Sequence, residues 1–469
     1  MTAADDARAH IPKRGRVARA MPLVGLAGRT AGEAVVESMR RRRKNAEAGR
    51  PDYRVKDADR YANHLGRSKG VLMKAGQILS FTAIGPTVGD ENQNVYQRAL
   101  ARLQDSAPPM PYETAAGVIE ANLGKPVDEL FAEFDPVPVG AASIGQVHAA
   151  RLADGRRVAV KVQYPGVDEA IRADLANTEL LATFFQMAKG LQPALARLDI
   201  KALSQEVTAR IGEEIDYLVE AANQTAFVDG YRGHPFIRIP EVVPELTTSQ
   251  VLTMDFVEGR RFAEALTAPQ ELRDLWGETI SRFAMGSLRT IGLFNADPHP
   301  GNYLFHDDGG VTFIDFGCVK RFTEDKVTLV KRSLNAAVVD DVPALMLVLR
   351  DMGIVVDGEL PEPREIADFY RCGLEMLTGP QPFTYSTAFA AGVVQEKFSP
   401  VGPYGHVLRK VSLDPDFTML TRIDLGVTAV LGALECTGPW EAIRQEWDSN
   451  GPAATPMGEL DIAHWGAKR

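Results

Sequence analysis

Two neighbouring stretches decide how this chain reads: LFNADPHPGNYLF, residues 293–305, and VTFIDFG, residues 311–317. Each is a short apolar run that breaks into a loop bearing oxygen-containing side chains. Asp297 and Asn302 stand in the first loop and Asp315 in the second. Asn302 follows Asp297 by five residues, and Asp315 comes thirteen after that. Carboxylate and carboxamide oxygens at such loops suit Mg²⁺, which takes oxygen ligands.

The order of acid, amide and Asp-Phe-Gly triplet resembles the catalytic and metal loops of a kinase-type nucleotide site. On that reading Asp297 is the catalytic-loop acid, and Asn302 and Asp315 are the metal ligands. His299, set between two prolines in the same loop, invites a general-base reading.

Composition is compatible with this and narrows it little. The chain has 469 residues, 45% hydrophobic content and a net charge of −10. It is long enough for several domains and a full core, and its charge argues against a general nucleic-acid binder. Three scattered cysteines (Cys318, Cys372, Cys436) make neither a disulfide framework nor a zinc site, so a reducing, cytoplasmic setting is expected. Cys318, next to the triplet, reads as a small buried filler.

No stretch reaches the roughly 18–20 apolar residues of a membrane span. Residues 20–36 are interrupted by Arg29 and Glu33 and flanked by Lys13, Arg14, Arg16, Arg19 and the basic run 40–44. That pattern fits a segment resting on an anionic membrane surface, and equally a solvated helix with a basic C-terminal turn. Any membrane association is expected to be peripheral.

Along the chain, residues 1–55 read as a loose basic segment and 56–110 as a helical extension ended by Pro108, Pro109 and Pro111. Residues 111–255 read as a mixed lobe, 256–447 as a helical lobe carrying the two loops, and 448–469 as a C-terminal tail. Within the mixed lobe, residues 114–123 form a helix closed by Gly124. QVHAARL and RRVAVKV pair through a two-residue Asp154-Gly155 turn. Residues 201–231 are helical, while 237–243 and 249–254 are strands ending at Met254, which is assigned to the nucleotide-contacting set.

In RRVAVKV, Val158, Val160 and Val162 take one face of the strand and Lys161 the other. A lysine so placed suits the α and β phosphates and a helix carboxylate. On a helix spanning 201–231, Glu213, Asp216 and Glu220 share a face and Glu214 turns away, so Glu220 is assigned to Lys161. Before the lysine lies VGAASIGQVH, residues 139–148, where small residues (Gly140, Ala141, Ala142, Ser143, Gly145), followed by Gln146, replace a glycine-rich phosphate loop.

The ordered set resembles the UbiB (AarF-type) family of atypical kinase-like ATPases over roughly residues 66–330. It comprises KAGQ at 74–77, the alanine-rich loop, Glu214-Ile215-Asp216, ADPHPGN at 296–302 and the Asp-Phe-Gly triplet. The resemblance implies an α+β, bilobal protein-kinase-like fold with an N-terminal helical extension covering the nucleotide cleft and a mostly helical C-lobe. It also implies that Lys74 pairs with Glu214, that Gln77 sits near the phosphates, that ATP or ADP binds with Mg²⁺, and that the pathway involves isoprenoid lipid or quinone. Two positions depart from the family: Gly140 replaces the loop's first alanine, and Asn295 stands where histidine is usual. Gly140 is expected to loosen the loop and alter nucleotide preference, and Asn295 to affect geometry more than reaction type.

After Gly317 only five residues precede Thr323-Glu324-Asp325, which reads as an N-cap and acidic first turn of a helix. Neither a long activation segment nor an Ala-Pro-Glu motif is present, so a peptide-phosphorylating enzyme is disfavoured. Three readings result: a lipid-linked ATPase or kinase, favoured; a small-molecule phosphotransferase such as an antibiotic-modifying enzyme, which a covering KAGQ helix argues against; and a non-catalytic nucleotide scaffold.

Overall fold

The structure, a computed structural model, describes residues 109–142, 144–169, 171, 215–356, 358–399, 402–408, 410–411 and 415–468. Lys74, Gln77, Ser143 and Glu214 therefore lie outside the described residues, as does the expected KAGQ helix. The chain divides into two compact units.

The first unit holds, among the described residues, 109–218 and Val243–Thr253. Helix α1 (Tyr112–Leu123) buries Ala115, Ala116 and Ile119 and ends at Gly124, whose φ of 73° is the left-handed C-cap that glycine adopts without strain. Strands β1 (Glu133–Phe134), β2 (Gly140–Ala142), β3 (Gly145–Arg151) and β4 (Arg157–Gln163) form an antiparallel sheet. Strand β6 (Val251–Asp255) adds to β4. Val158, Val160 and Val162 are completely buried, as their alternation predicts.

The β3–β4 hairpin differs from expectation. Leu152 N donates to Arg156 O at 2.9 Å and Gly155 has φ 87°, so three residues, 153–155, make the loop. A two-residue turn would leave Leu152 and Arg156 one register short of this bond. The extra residue is taken up by the glycine as a bulge.

The second unit contains Val219–Val242 and Met254–Arg469. Helix α2 (Tyr217–Tyr231) leads into it. The expected helix over 201–231 is corrected here: Ile215 and Asp216 are not helical, and the Asp216 carboxylate accepts from Leu218 N at 2.9 Å ahead of the first turn. An aspartate bonding its own backbone two residues on competes with helix, so Asp216 starts α2 rather than sharing a face with Glu220.

Strands β5 (Ile237–Arg238), β8 (Tyr303–Phe305) and β9 (Val311–Phe313) form one small sheet, and β7 (Leu293–Asn295) pairs with β10 (Val319–Arg321) in another. These ladders hold the two loops read from the sequence. Around them lie α3 (Gln270–Ser281), α4 (Glu324–Val338), α5 (Val342–Asp351), α6 (Pro363–Arg371), α7 (Thr387–Phe398), α8 (Pro415–Leu434), α9 (Trp440–Asp448) and α10 (Pro456–Lys468). Thr323 caps α4 by accepting from Lys326 N, as the sequence indicates. Cys318, Cys372 and Cys436 are buried and form no disulfide.

One buried charge ties this unit together. The Arg282 guanidinium, fully shielded from solvent, donates to Glu278 (2.8 Å), Glu446 (2.7 and 3.0 Å) and Asp461 (3.1 Å). Asp461, on α10, also accepts from His234 Nε2 at 2.9 Å, while His234 Nδ1 takes the Ile237 amide, which fixes a neutral tautomer. Burial pushes the Asp461 carboxyl up, but the His234 hydrogen bond and the Arg282 charge outweigh it and hold its pKa below the usual carboxylate range. A carboxylate depressed in this way adds stability above its unfolded pKa and loses it as pH falls. Arg282→Met is expected to cost about 3–5 kcal/mol in denaturant unfolding at neutral pH. The loss should shrink on acidification as the orphaned carboxylates take up protons.

Candidate active site

In the first unit, β2 and β3 make the strand-turn-strand expected of the alanine-rich loop, with Ala141 opposite Gln146 and Ala142 opposite Gly145. Gly145 is demanded by packing: a Cβ there would lie 2.2 Å from the Val162 carbonyl oxygen. Gly140 is not, since a Cβ would meet nothing within 4 Å. The family's alanine would therefore fit at Gly140.

Gln146 requires a correction. Its side chain is buried and spent locally: Oε1 accepts from Met110 N at 2.8 Å, while Nε2 reaches Met110 O at 3.2 Å and His148 Nε2 at 2.8 Å. Only the backbone of Gln146 belongs to the loop. Its side-chain amide is engaged by the Met110 backbone. Lys161 is buried on β4, and its ammonium stands 5.0 Å from the centre of the Tyr217 ring. An aromatic face supports a desolvated cation without neutralising it. The sequence reading did not anticipate Tyr217.

In the second unit the two loops come together. The Asn302 amide donates to Asp297 Oδ2 at 3.2 Å, so the two residues of the first loop face one another. With its nitrogen used there, the side-chain oxygen of Asn302 is the atom suited to a metal ion. Asp315 Oδ1 accepts from Gly317 N at 3.0 Å. Asn302 O accepts from Ile314 N at 3.1 Å, and Cys318 O accepts from Ala296 N at 2.7 Å, stitching the loops along their backbones. His299 caps the short turn that follows it, its Nδ1 accepting from Gly301 N at 3.1 Å.

Asn295 carries more of this geometry than its reading as a departure implied. Its Nδ2 donates to Asp315 O at 2.8 Å and its Oδ1 accepts from Asp297 N at 3.1 Å. One side-chain amide thus bridges the acid of each loop. Donor and acceptor on adjacent atoms suit this task, whereas the two ring nitrogens of a histidine point apart.

Helix α2 presents two further groups. Glu220 is buried in its first turn. Asn223 donates to Phe316 O at 3.2 Å, a contact no sequence pattern announced. Phe316 is fully buried, with ring centres 5.0 Å from Phe227 and 6.5 Å from Phe283. Met254, also buried, accepts a weak bond from Gln224 Nε2 at 3.5 Å, so its sulfur faces α2.

Fold and loops together define a kinase-like protein. The family model of the ABC1 atypical kinase-like domain matches residues 102–348, and the chain belongs to that family, the UbiB (AarF-type) family. It is 32% identical over 371 residues to the uncharacterized protein sll1770 of Synechocystis, covering 74% of this chain and 60% of that one. It is 34% identical over 287 residues to the mitochondrial atypical kinase COQ8 of Saccharomyces cerevisiae, covering 60% and 54% respectively. The chain thus spans a little over half the length of these two relatives. Among solved structures, the complex of Rv3197 with erythromycin from Mycobacterium tuberculosis is similar. Its TM-score is 0.61 at 30% identity, with 89% of this chain and 98% of that one covered.

Asn295→Ala is expected to leave the Asp297 amide without its acceptor. Hydrogen exchange at that amide should quicken by roughly fivefold, the equivalent of one ordinary hydrogen bond. Unchanged exchange would remove Asn295 from the loop bridge.

Proposed function

We propose that the chain is an atypical kinase-like enzyme that uses ATP with Mg²⁺ and acts in isoprenoid-lipid or quinone metabolism. The observation that carries this reading is the joining of Asp297, Asn302 and Asp315 through Asn295 and through the Asn302–Asp297 bond. This set of oxygen donors on two cross-braced loops fits a hard divalent cation. Asn302 and Asp315 would hold the ion, which offsets charge on the phosphate oxygens when bound. Asp297 would orient the acceptor, water or a small hydroxyl, and take its proton late. Lys161 would neutralise the α and β phosphates, with Glu220 orienting it. Lys74, Gln77 and Glu214 are assigned to the nucleotide site by family resemblance, as are the backbones of Ala141, Ala142, Ser143 and Gly145.

The stretch from Gly317 to the Thr323 cap is short and occupied by β10, which leaves no length for a peptide-binding activation segment. A lipid or small-molecule acceptor therefore suits the site better than a protein. Among the described residues no helix is long and apolar enough to cross a membrane.

Purified chain is expected to hydrolyse ATP slowly and only with Mg²⁺, and Asp315→Asn to reduce the rate to background. Equal turnover in that variant would sink the catalytic assignment. Anionic vesicles or phenol-like quinone precursors should raise the rate. The erythromycin named with the solved relative makes a macrolide the comparison arm. Consumption of the macrolide with no response to lipid would overturn the lipid assignment.

A further inference from the structure

Two side-chain amides from different elements hold successive carbonyls of the metal loop: Asn295 on Asp315 O and Asn223 on Phe316 O. The second contact reaches further than it first shows. The carbonyl that Asn223 holds and the N–H that Gly317 gives to Asp315 Oδ1 belong to one peptide unit. That unit is planar, so its two polar ends turn together. Rotation that frees the carbonyl from Asn223 also swings the N–H away from the Asp315 carboxylate.

Asn223 stands one helical turn beyond Glu220 on α2, and Phe227, which touches the Phe316 ring, stands one turn beyond Asn223. Glu220, Asn223 and Phe227 therefore line one face of the helix, and α2 engages the triplet twice, at its backbone and at its aromatic ring. We infer that Asn223 is a positioning residue for the metal ligand Asp315, acting through the Phe316–Gly317 peptide and tying the setting of the metal loop to the helix that carries Glu220. Bonds in series polarise one another, so the relay also steadies the carboxylate charge. This inference rests on the proposed nucleotide site.

The test compares the full chain with Asn223→Leu, which keeps the branched heavy-atom skeleton and removes the donor, and with Thr225→Ala, an exposed control on the same helix. Binding of a fluorescent ATP analogue is titrated in EDTA and then at rising Mg²⁺. In Asn223→Leu the half-saturating Mg²⁺ concentration should rise by roughly three- to tenfold, as loss of one buried hydrogen bond implies. Its metal-free nucleotide affinity should stay within about twofold, and Thr225→Ala should match the unsubstituted chain. Equal Mg²⁺ dependence in all three proteins, or an equal loss of metal-free affinity in Asn223→Leu, overturns the positioning role. If the unsubstituted chain itself shows no Mg²⁺ dependence, the nucleotide-site reading fails and the role of Asn223 with it.

Discussion

A carboxylate on a loop needs restraint from outside that loop, because the strand before it fixes its origin and not its direction. Here the restraint is a set of amide hydrogen bonds to the backbone around Asp315. Asn295 holds the carbonyl of Asp315, Gly317 caps its carboxylate, and Asn223 holds the peptide that presents Gly317. Asn295 extends the same restraint to Asp297. The oxygens of the two loops are thus held in place by fixed hydrogen bonds, the kind of preorganisation that catalysis by charge placement requires.

The surrounding fold serves this constraint. Sheet pairing of β7 with β10 and of β8 with β9 brings the ends of the two loops together, and Phe316 seals the triplet into the core beside Phe227 and Phe283. Further out, Arg282 gathers Glu278, Glu446 and Asp461, so the C-terminal helix is docked by charge as well as by packing. A buried cation with several carboxylate partners is a specific lock: a helix in the wrong register would leave charges unpaired at a cost of several kcal/mol.

Features set by neighbouring residues were legible in the sequence. Thr323 with its acidic first turn, Gly124 after α1 and the Val158, Val160 and Val162 face each follow from local rules, and the structure has them. Ordered motifs identified the family before any coordinates. Features set by distant partners were not legible. Asn223 meets Phe316 across 93 residues, and Arg282 meets Asp461 across 179, so no periodicity encodes either. Gln146 was assigned to the nucleotide-binding set by its place in the alanine-rich loop, yet its amide turns to Met110 because a buried carboxamide must satisfy both its ends. The helix expected over 201–231 ran past Asp216 because hydrophobic spacing does not register a side chain that bonds its own backbone. Residues 456–468, read as a tail, form a helix whose Asp461 is buried.

The central claim, that the loops around Asp297 and Asp315 form one metal site used with nucleotide, is tested most directly by iron-mediated backbone cleavage. Fe²⁺ replaces Mg²⁺ in sites of oxygen ligands, and with ascorbate it generates radicals that cut the chain beside the ion. The account predicts cuts within 295–302 and 313–317 that appear only with ATP and are suppressed by excess Mg²⁺. Cuts confined to other segments, or cleavage indifferent to ATP and Mg²⁺, would contradict it.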